Sequence, residues 1–227
     1  MSLYTKCVSG VLFPLHEHLK KHTTVQVRRD MERSQWWTAN ELKQLQLEKL
    51  RSFLADIGQS VPYYRDLFKA MEFEPESICS LEDLQQLPLT GKPEIRAHTD
   101  AMKADNAIGL SRFNTGGSSG EPFIFFISSQ RVRHDVAAKW RATRWWNVDI
   151  GDPEIVVWGS PIELGAQDRV RQIRDKLFRT QLLPAFEMSD EILDQFVATI
   201  QQVSPPMLFG YTSALAHIAL HAKKKNI

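Results

Sequence analysis

The stretch Arg112-Phe113-Asn114-Thr115-Gly116-Gly117-Ser118-Ser119-Gly120-Glu121-Pro122, followed by Phe123-Ile124-Phe125-Phe126-Ile127, decides how the rest of the chain is read. Three glycines interleaved with hydroxyl side chains let a backbone take positive φ angles and turn successive N–H groups toward one point, a concave seat for phosphate. The hydroxyls of Thr115, Ser118 and Ser119 add donors of their own. A nucleotide triphosphate is the ligand that suits such a segment. Two familiar phosphate loops do not fit it. A P-loop ends in Gly-Lys-Ser/Thr and opens a helix, whereas Gly120 is followed by Glu121-Pro122 and a β-favouring run. A dinucleotide fingerprint also needs a helix in that place, and its glycine spacing differs. By composition alone, a surface turn is an equally good reading of these residues.

Downstream of this segment, strand and helix alternate. Phe123 to Ile127 reads as a strand, and Gln130 to about Trp146 as a helix with Val132, Val136, Trp140 and Thr143 on one face. Glu154 to Trp158 is a strand and Ala166 to Arg179 a helix. Leu182 to Phe186 is a strand weakened by Pro184. Ser189 caps a helix with the stripe Ile192, Leu193, Phe196, Val197, Ile200 and Val203. Met207 to Phe209 is a short strand, and Thr212 or Ser213 caps a last helix before Lys223-Lys224-Lys225, after which another strand is expected.

Upstream, the texture is helical. Thr38-Ala39-Asn40-Glu41 has capping-box form, and Leu42, Leu45, Leu50, Phe53, Leu54 and Ile57 follow at helical spacing, with Gly58 as the expected stop. Pro62 opens a second helix. Ser80-Leu81-Glu82-Asp83 opens a third that ends at Leu87-Pro88, and Leu3 to Trp37 is basic and mixed, with helix the best assignment. The fold class is therefore α/β: a helical amino-terminal region over residues 1–110, then an α/β nucleotide-binding subdomain over 111–227 with a mainly parallel sheet and crossover helices.

Bulk properties narrow the function classes. A length of 227 residues, 43% hydrophobic and 24% charged, is globular rather than disordered. With 28 basic and 27 acidic residues, net +1, there is no field of one sign to favour nucleic acid or an anionic membrane. Cys7 and Cys79 form neither a disulfide framework nor a metal ribbon. No run approaches a membrane span, and Val8 to Leu15 is too short for a signal segment, so a cytoplasmic location is expected. The composition admits a homodimer.

Thr115 to Pro122 resembles the phosphate-binding motif of adenylate-forming enzymes, in the Gly-Glu-Pro form of phenylacetate-coenzyme A ligase-like and CapK-like proteins. Val61-Pro62-Tyr63-Tyr64-Arg65, then Ser80-Leu81-Glu82-Asp83-Leu84 with Leu87-Pro88-Leu89-Thr90 and Lys92, and finally Gly210-Tyr211-Thr212-Ser213 resemble further segments of that family in the same order, so the likeness runs along most of the chain. The resemblance implies a carboxylate attacking the α-phosphate of ATP to give an acyl-adenylate and pyrophosphate, with coenzyme A as the usual acyl acceptor and Mg2+ accompanying the triphosphate. Thr115, Gly116, Gly117, Ser118, Ser119 and Gly120 would hold the β- and γ-phosphates. Trp158, Gly159, Ser160 and Tyr211 would border the acyl substrate, a small carboxylic acid. Capsule or surface-polysaccharide synthesis is where CapK-like proteins are placed. No catalytic residue and no metal ligand is assigned. Position 121 is Glu where many acyl ligases carry Lys. The family's adenine-holding motif, ribose-binding acid, hinge and carboxy-terminal lysine come later than the equivalent of Ile227. The chain is thus expected to be an incomplete large domain with little ligation of its own, or else a non-catalytic nucleotide-binding or scaffold module.

Other residue groups are read as structural. His217 and His221 have helical spacing but lack the glutamate of a zinc-protease helix, and solvated or half-buried positions suit them better. His16-Glu17-His18 reads as a surface helix. Trp140, Trp145 and Trp146 suit packing against the sheet more than an acyl pocket, although either use, or a protein interface, stays open. Arg141, Arg144, Arg169, Arg171 and Arg174 read as a solvated face.

Overall fold

Local rules account for most of the helices. Thr38 accepts from the Glu41 N–H while the Glu41 carboxylate accepts from the Thr38 N–H at 2.8 Å, the reciprocal cap that satisfies two otherwise orphaned donors. This opens α4 (Ala39–Ser60), and Pro62, whose missing N–H costs nothing in a first turn, opens α5 (Pro62–Ala70). Ser189 caps a later helix through the Ile192 N–H. The computed structural model describes residues 2–114, 123–159 and 169–227, which fall into two compact units: residues 1–25 with 138–227, and residues 26–137. The first residues of the chain therefore belong in space with the last ninety or so, and the helices of the first 110 residues are shared between the units.

The first unit is built on a parallel three-stranded sheet, β3 (Glu154–Trp158), β4 (Thr180–Pro184) and β5 (Met207–Gly210), in the order β4-β3-β5. Val156 lies opposite both Leu182 and Phe209. α8 (Arg169–Phe178) crosses from β3 to β4, α9 (Asp190–Val203) from β4 to β5, and α10 (Thr212–Lys224) follows β5. Side chains alternate across a strand, so Ile155 and Val157 of β3 share one face. They meet Leu193, Phe196 and Val197 of α9 and Ala214 and Ile218 of α10 in a buried cluster. Each of the buried Ile, Leu, Val and Phe side chains contributes about 1.5–3 kcal/mol. Pro184 ends β4, an edge strand where its missing donor is tolerated.

The amino-terminal residues of this unit form α1 (Leu3–Cys7), a π-helical turn (Val8–Leu12) and α2 (Phe13–Leu19). Phe13 packs edge-on against Trp140 at 4.9 Å and Phe178 at 5.6 Å. Thr5 donates to Asp152 at 2.6 Å, and Gly151, at φ +96°, lies so close to Val8 that a Cβ would fall 2.6 Å from the Val8 Cβ. Glu17 corrects the surface reading of its segment. It is 5% exposed and accepts from the Thr24 hydroxyl, with His16 Nδ1 at 3.0 Å and His22 Nδ1 at 3.2 Å, because a buried carboxylate needs partners for its lone pairs.

The second unit holds the rest of α3 (Thr24–Ser34), then α4, α5, α6 (Lys92–Ala97) and the two-stranded antiparallel pair β1 (Ser111–Asn114) and β2 (Ile124–Ile127), with α7 (Ser129–Arg144) beginning in it. Leu54, Phe68, Phe73 and Ile78 form its buried cluster. Gly58 does not stop α4. The helix runs through it, and a Cβ there would come 2.9 Å from Phe68 Cδ2, so the glycine serves close packing of α5 on α4. The third expected helix is a short 3-10 segment, Glu82–Gln86, because Asp83 turns back to accept from the N–H groups of Cys79 and Ser80 at 2.7 and 2.8 Å. Along α7, Trp140 is buried but Val132 and Val136 are exposed, so the expected apolar face is not continuous.

Candidate functional site

The residues that flank the glycine-rich segment in sequence belong to the second unit. The run Phe123 to Ile127 supplies β2, whose bulky side chains favour an extended backbone. It pairs with β1 in the register Ser111↔Ile127 through Asn114↔Ile124. Phe113 and Phe125, directly opposite each other, stack at 6.0 Å. On the other face, Lys103 Nζ lies 4.1 Å from the centre of the Phe126 ring. The last pair, Asn114 with Ile124, fixes the two points between which Thr115, Gly116, Gly117, Ser118, Ser119 and Gly120 run; those six residues lie outside the described residues. At this end of the pair is a cavity of about 500 Å3 lined by Arg112, Phe113, Asn114 and Ile124. Arg112 brings a guanidinium, the group best matched to phosphate oxygens, and Asn114 an amide. Neither was singled out in the sequence, although Arg112 opens the quoted segment.

The second set lies at the carboxyl ends of the parallel strands in the first unit. Trp158 closes β3, and Tyr211 follows β5; their rings stack at 4.1 Å and 14°, with Phe209 next to Trp158 at 6.3 Å and 14°. A backbone feature brings them together. The Tyr211 N–H donates to the Val157 carbonyl at 3.2 Å, and Gly210 sits so close to β3 that a Cβ would fall 2.1 Å from the Val157 carbonyl oxygen. Only glycine permits that approach. Gly159, at φ +101°, follows Trp158 in a backbone conformation that favours glycine; Ser160 lies outside the described residues. Trp158, Phe209 and Tyr211 remain 38–44% exposed. In open α/β sheets the carboxyl ends of strands, where neighbouring connections diverge from a central strand, are where ligands gather, and β3 is that strand here.

On the same face of the sheet, Lys139 of α7 pairs with Glu154 and lies 4.3 Å over the Phe209 ring. The charge is therefore already matched and serves to hold the helix. α10 begins directly after Tyr211 with no side-chain cap, which corrects the capping role expected of Thr212 or Ser213. Both lie inside its first turn, where backbone N–H groups have no intrahelical partner.

The remaining polar clusters are structural. His221 is buried and bonded to Asp194 at 2.8 Å, and Lys225 reaches the same carboxylate at 2.6 Å. Lys225 and His221 hold the Asp194 carboxyl below its ordinary range. His217 is exposed. The tryptophans separate: Trp140 is buried and donates to Asp149, while Trp145 and Trp146 are exposed. Among the described residues no group of His, Cys, Asp and Glu is placed to hold a metal ion, and no helix is long and apolar enough to cross a membrane.

Comparison with known proteins gives these features a setting. No family model matches the chain. CapK of Staphylococcus aureus is 22% identical over 221 residues, 97% of this chain and 47% of that protein. Phenylacetate-coenzyme A ligase of Pseudomonas putida is 39% identical over 91 residues, 38% of this chain and 20% of the enzyme, and that of Aromatoleum evansii 36% over 67 residues, 30% and 15%. The structure of a 2-hydroxyisobutyryl-CoA ligase in complex with 2-HIB-AMP and CoA matches with a TM-score of 0.61 at 20% identity, covering 84% of this chain and 41% of that one. The chain is a relative of CapK and the phenylacetate-coenzyme A ligases and has the fold of part of an adenylate-forming ligase. It spans less than half the length of each of these proteins.

Proposed function

We propose that this chain provides the phosphate-holding portion of an enzyme that activates a carboxylic acid with ATP and passes the acyl group to coenzyme A. What supports the reading is that β1 and β2, between which a glycine, serine and threonine segment lies in sequence, pair as far as Asn114 with Ile124, and that Arg112 lines a cavity with these two residues, in a chain similar to acid-coenzyme A ligases. In this reading a carboxylate oxygen attacks the α-phosphorus, and pyrophosphate leaves with its charge spread over the amides and hydroxyls of Thr115 to Gly120 and the guanidinium of Arg112. These groups position and neutralise; none of them acts as acid or base. Trp158, Gly159, Ser160 and Tyr211 border the acyl group. Mg2+ would accompany the triphosphate, whose oxygens are its preferred ligands. The proposed setting is the cytoplasm, with residues 111–227 as the nucleotide-binding part and surface-polysaccharide synthesis as the process served.

A second reading is nucleotide binding without turnover. Calorimetric titration with Mg·ATP, together with a pyrophosphate-release assay over a panel of carboxylic acids, separates the two. Binding is expected, and Gly117→Val or Gly120→Val, which put a side chain where backbone must approach phosphate, should abolish it. Unchanged affinity in both variants would remove the phosphate assignment. Pyrophosphate release that depends on an added acid supports the first reading; binding with no release under any acid supports the second.

A further inference from the structure

The amino-terminal segment of the first unit carries an apolar stripe on the side away from its core. Its buried residues are Thr5, bonded to Asp152, Val8 against Gly151, Phe13 against Trp140 and Phe178, and Glu17, bonded to Thr24. Leu3, Cys7, Val11, Leu15 and Leu19 recur instead at every fourth position, and all five are exposed. The four aliphatic ones are 52–86% exposed. An α-helix rotates such a stripe steadily around its axis, but the wider π-helical turn at Val8–Leu12 sets back part of that rotation. The stripe therefore keeps to one side for roughly 24 Å, from Leu3 to Leu19.

The charges beside it have one sign. Lys6, Lys20 and Lys21 are exposed, whereas Glu17, the sole acid before Asp30, is buried on its own partners. Where α1 meets α8, the Tyr4 hydroxyl donates to the Leu177 carbonyl at 2.8 Å, and the Arg179 guanidinium lies 5.0 Å from the centre of the Tyr4 ring. That contact adds exposed Leu177 and the exposed cations Lys176 and Arg179, while Asp175 is already paired with Arg174. The overall charge of +1 conceals this local excess.

We propose that this face docks on an anionic lipid bilayer, with the protein resting on the membrane surface through α1 and α2. A row of leucine and valine side chains suits the boundary between headgroups and acyl chains, and the flanking lysines suit lipid phosphates. Charge selects the bilayer over a second copy of the chain. A two-fold contact through the same face would set Lys6, Lys20 and Lys21 against their own equivalents, and like charges brought together oppose association. The inference does not depend on nucleotide binding.

The test is flotation of the full 227-residue chain with vesicles made of equal parts phosphatidylglycerol and phosphatidylcholine, compared with vesicles of phosphatidylcholine alone. The chain should bind the mixed vesicles, more weakly as salt screens the lysines, and bind phosphatidylcholine alone more weakly by about tenfold or more. Lys20→Gln with Lys21→Gln should weaken binding to the mixed vesicles by about 25-fold, at about fivefold per cation. Leu15→Gln with Leu19→Gln should weaken it by about tenfold or more. All four side chains are exposed, so the circular dichroism and urea unfolding of both variants should match wild type. Absence of binding to the mixed vesicles overturns the proposal, as does equal binding to phosphatidylcholine alone. Binding that either pair of substitutions leaves unchanged overturns it too. Light scattering that shows a dimer, lost in Leu15→Gln with Leu19→Gln, would also overturn it by assigning the face to a second copy.

Discussion

Gly210→Ala tests whether the close approach of β5 to β3 is what assembles the aromatic ladder. The added methyl would lie 2.1 Å from the Val157 carbonyl oxygen, 2.8 Å from its carbon and 2.9 Å from the Val157 Cβ, so the neighbour that must give way is mainly backbone. β3 is the central strand of the parallel sheet, and its Val157 is fully buried against α9 and α10, so it cannot move without disturbing that cluster. β5 must therefore shift. Overpacking of this kind costs about 1–3 kcal/mol. Loss of the Tyr211 N–H bond to Val157 adds about 0.5–1.5 kcal/mol, giving roughly 1.5–4.5 kcal/mol together. Urea unfolding followed by circular dichroism measures the loss, and tryptophan fluorescence at low urea reports whether Trp158 has left the face of Tyr211. A variant within about 0.5 kcal/mol of wild type, the usual range for an inconsequential surface change, would refute the reasoning.

Three further outcomes are expected. In a double-mutant cycle of Trp158→Ala and Tyr211→Ala, the coupling energy should be about 0.5–1.5 kcal/mol, the range for a stacked pair, and a value indistinguishable from zero would mean that the two rings do not stabilise each other. Glu17→Leu leaves the Thr24 hydroxyl buried without its acceptor and should destabilise the first unit by about 1–3 kcal/mol in chemical denaturation, while exposed Glu74→Leu serves as the near-neutral control. On acidification, Asp83 and Asp194 should contribute to the loss of stability. Backbone N–H groups of Cys79 and Ser80 hold the Asp83 carboxyl low, and Lys225 and His221 do the same for Asp194. A depressed carboxylate stabilises fully above its unfolded value, near pH 3.9, and the contribution is lost as pH falls from there through the folded value. Asp83→Asn with Asp194→Asn should thus flatten the stability profile below about pH 5, and an unchanged acid limb would count against both assignments.

The sequence by itself determined the elements whose causes lie within a few residues. The Thr38–Glu41 cap, Pro62 at the start of α5, Ser189 before α9 and the apolar run of β3 each act over one turn or one strand, so their consequences could be read in order along the chain. The alternation of strand and helix likewise fixed a parallel sheet with crossovers, whereas the phosphate seat expected of the glycine-rich segment falls on residues outside those described. Tertiary structure alone decided what depends on distant partners. Gly58 and Gly210 look alike as chain breakers, yet one sits within a helix against Phe68 and the other within a strand against Val157. Glu17 reads as a surface residue and His221 as solvated or half-buried until Thr24, His22 and Asp194 are brought to them. The strand order β4-β3-β5 placed Trp158 beside Tyr211, fifty-odd positions away. Hydrogen bonds across a sheet and contacts in a core are set by which strands become neighbours, and no local pattern records that choice.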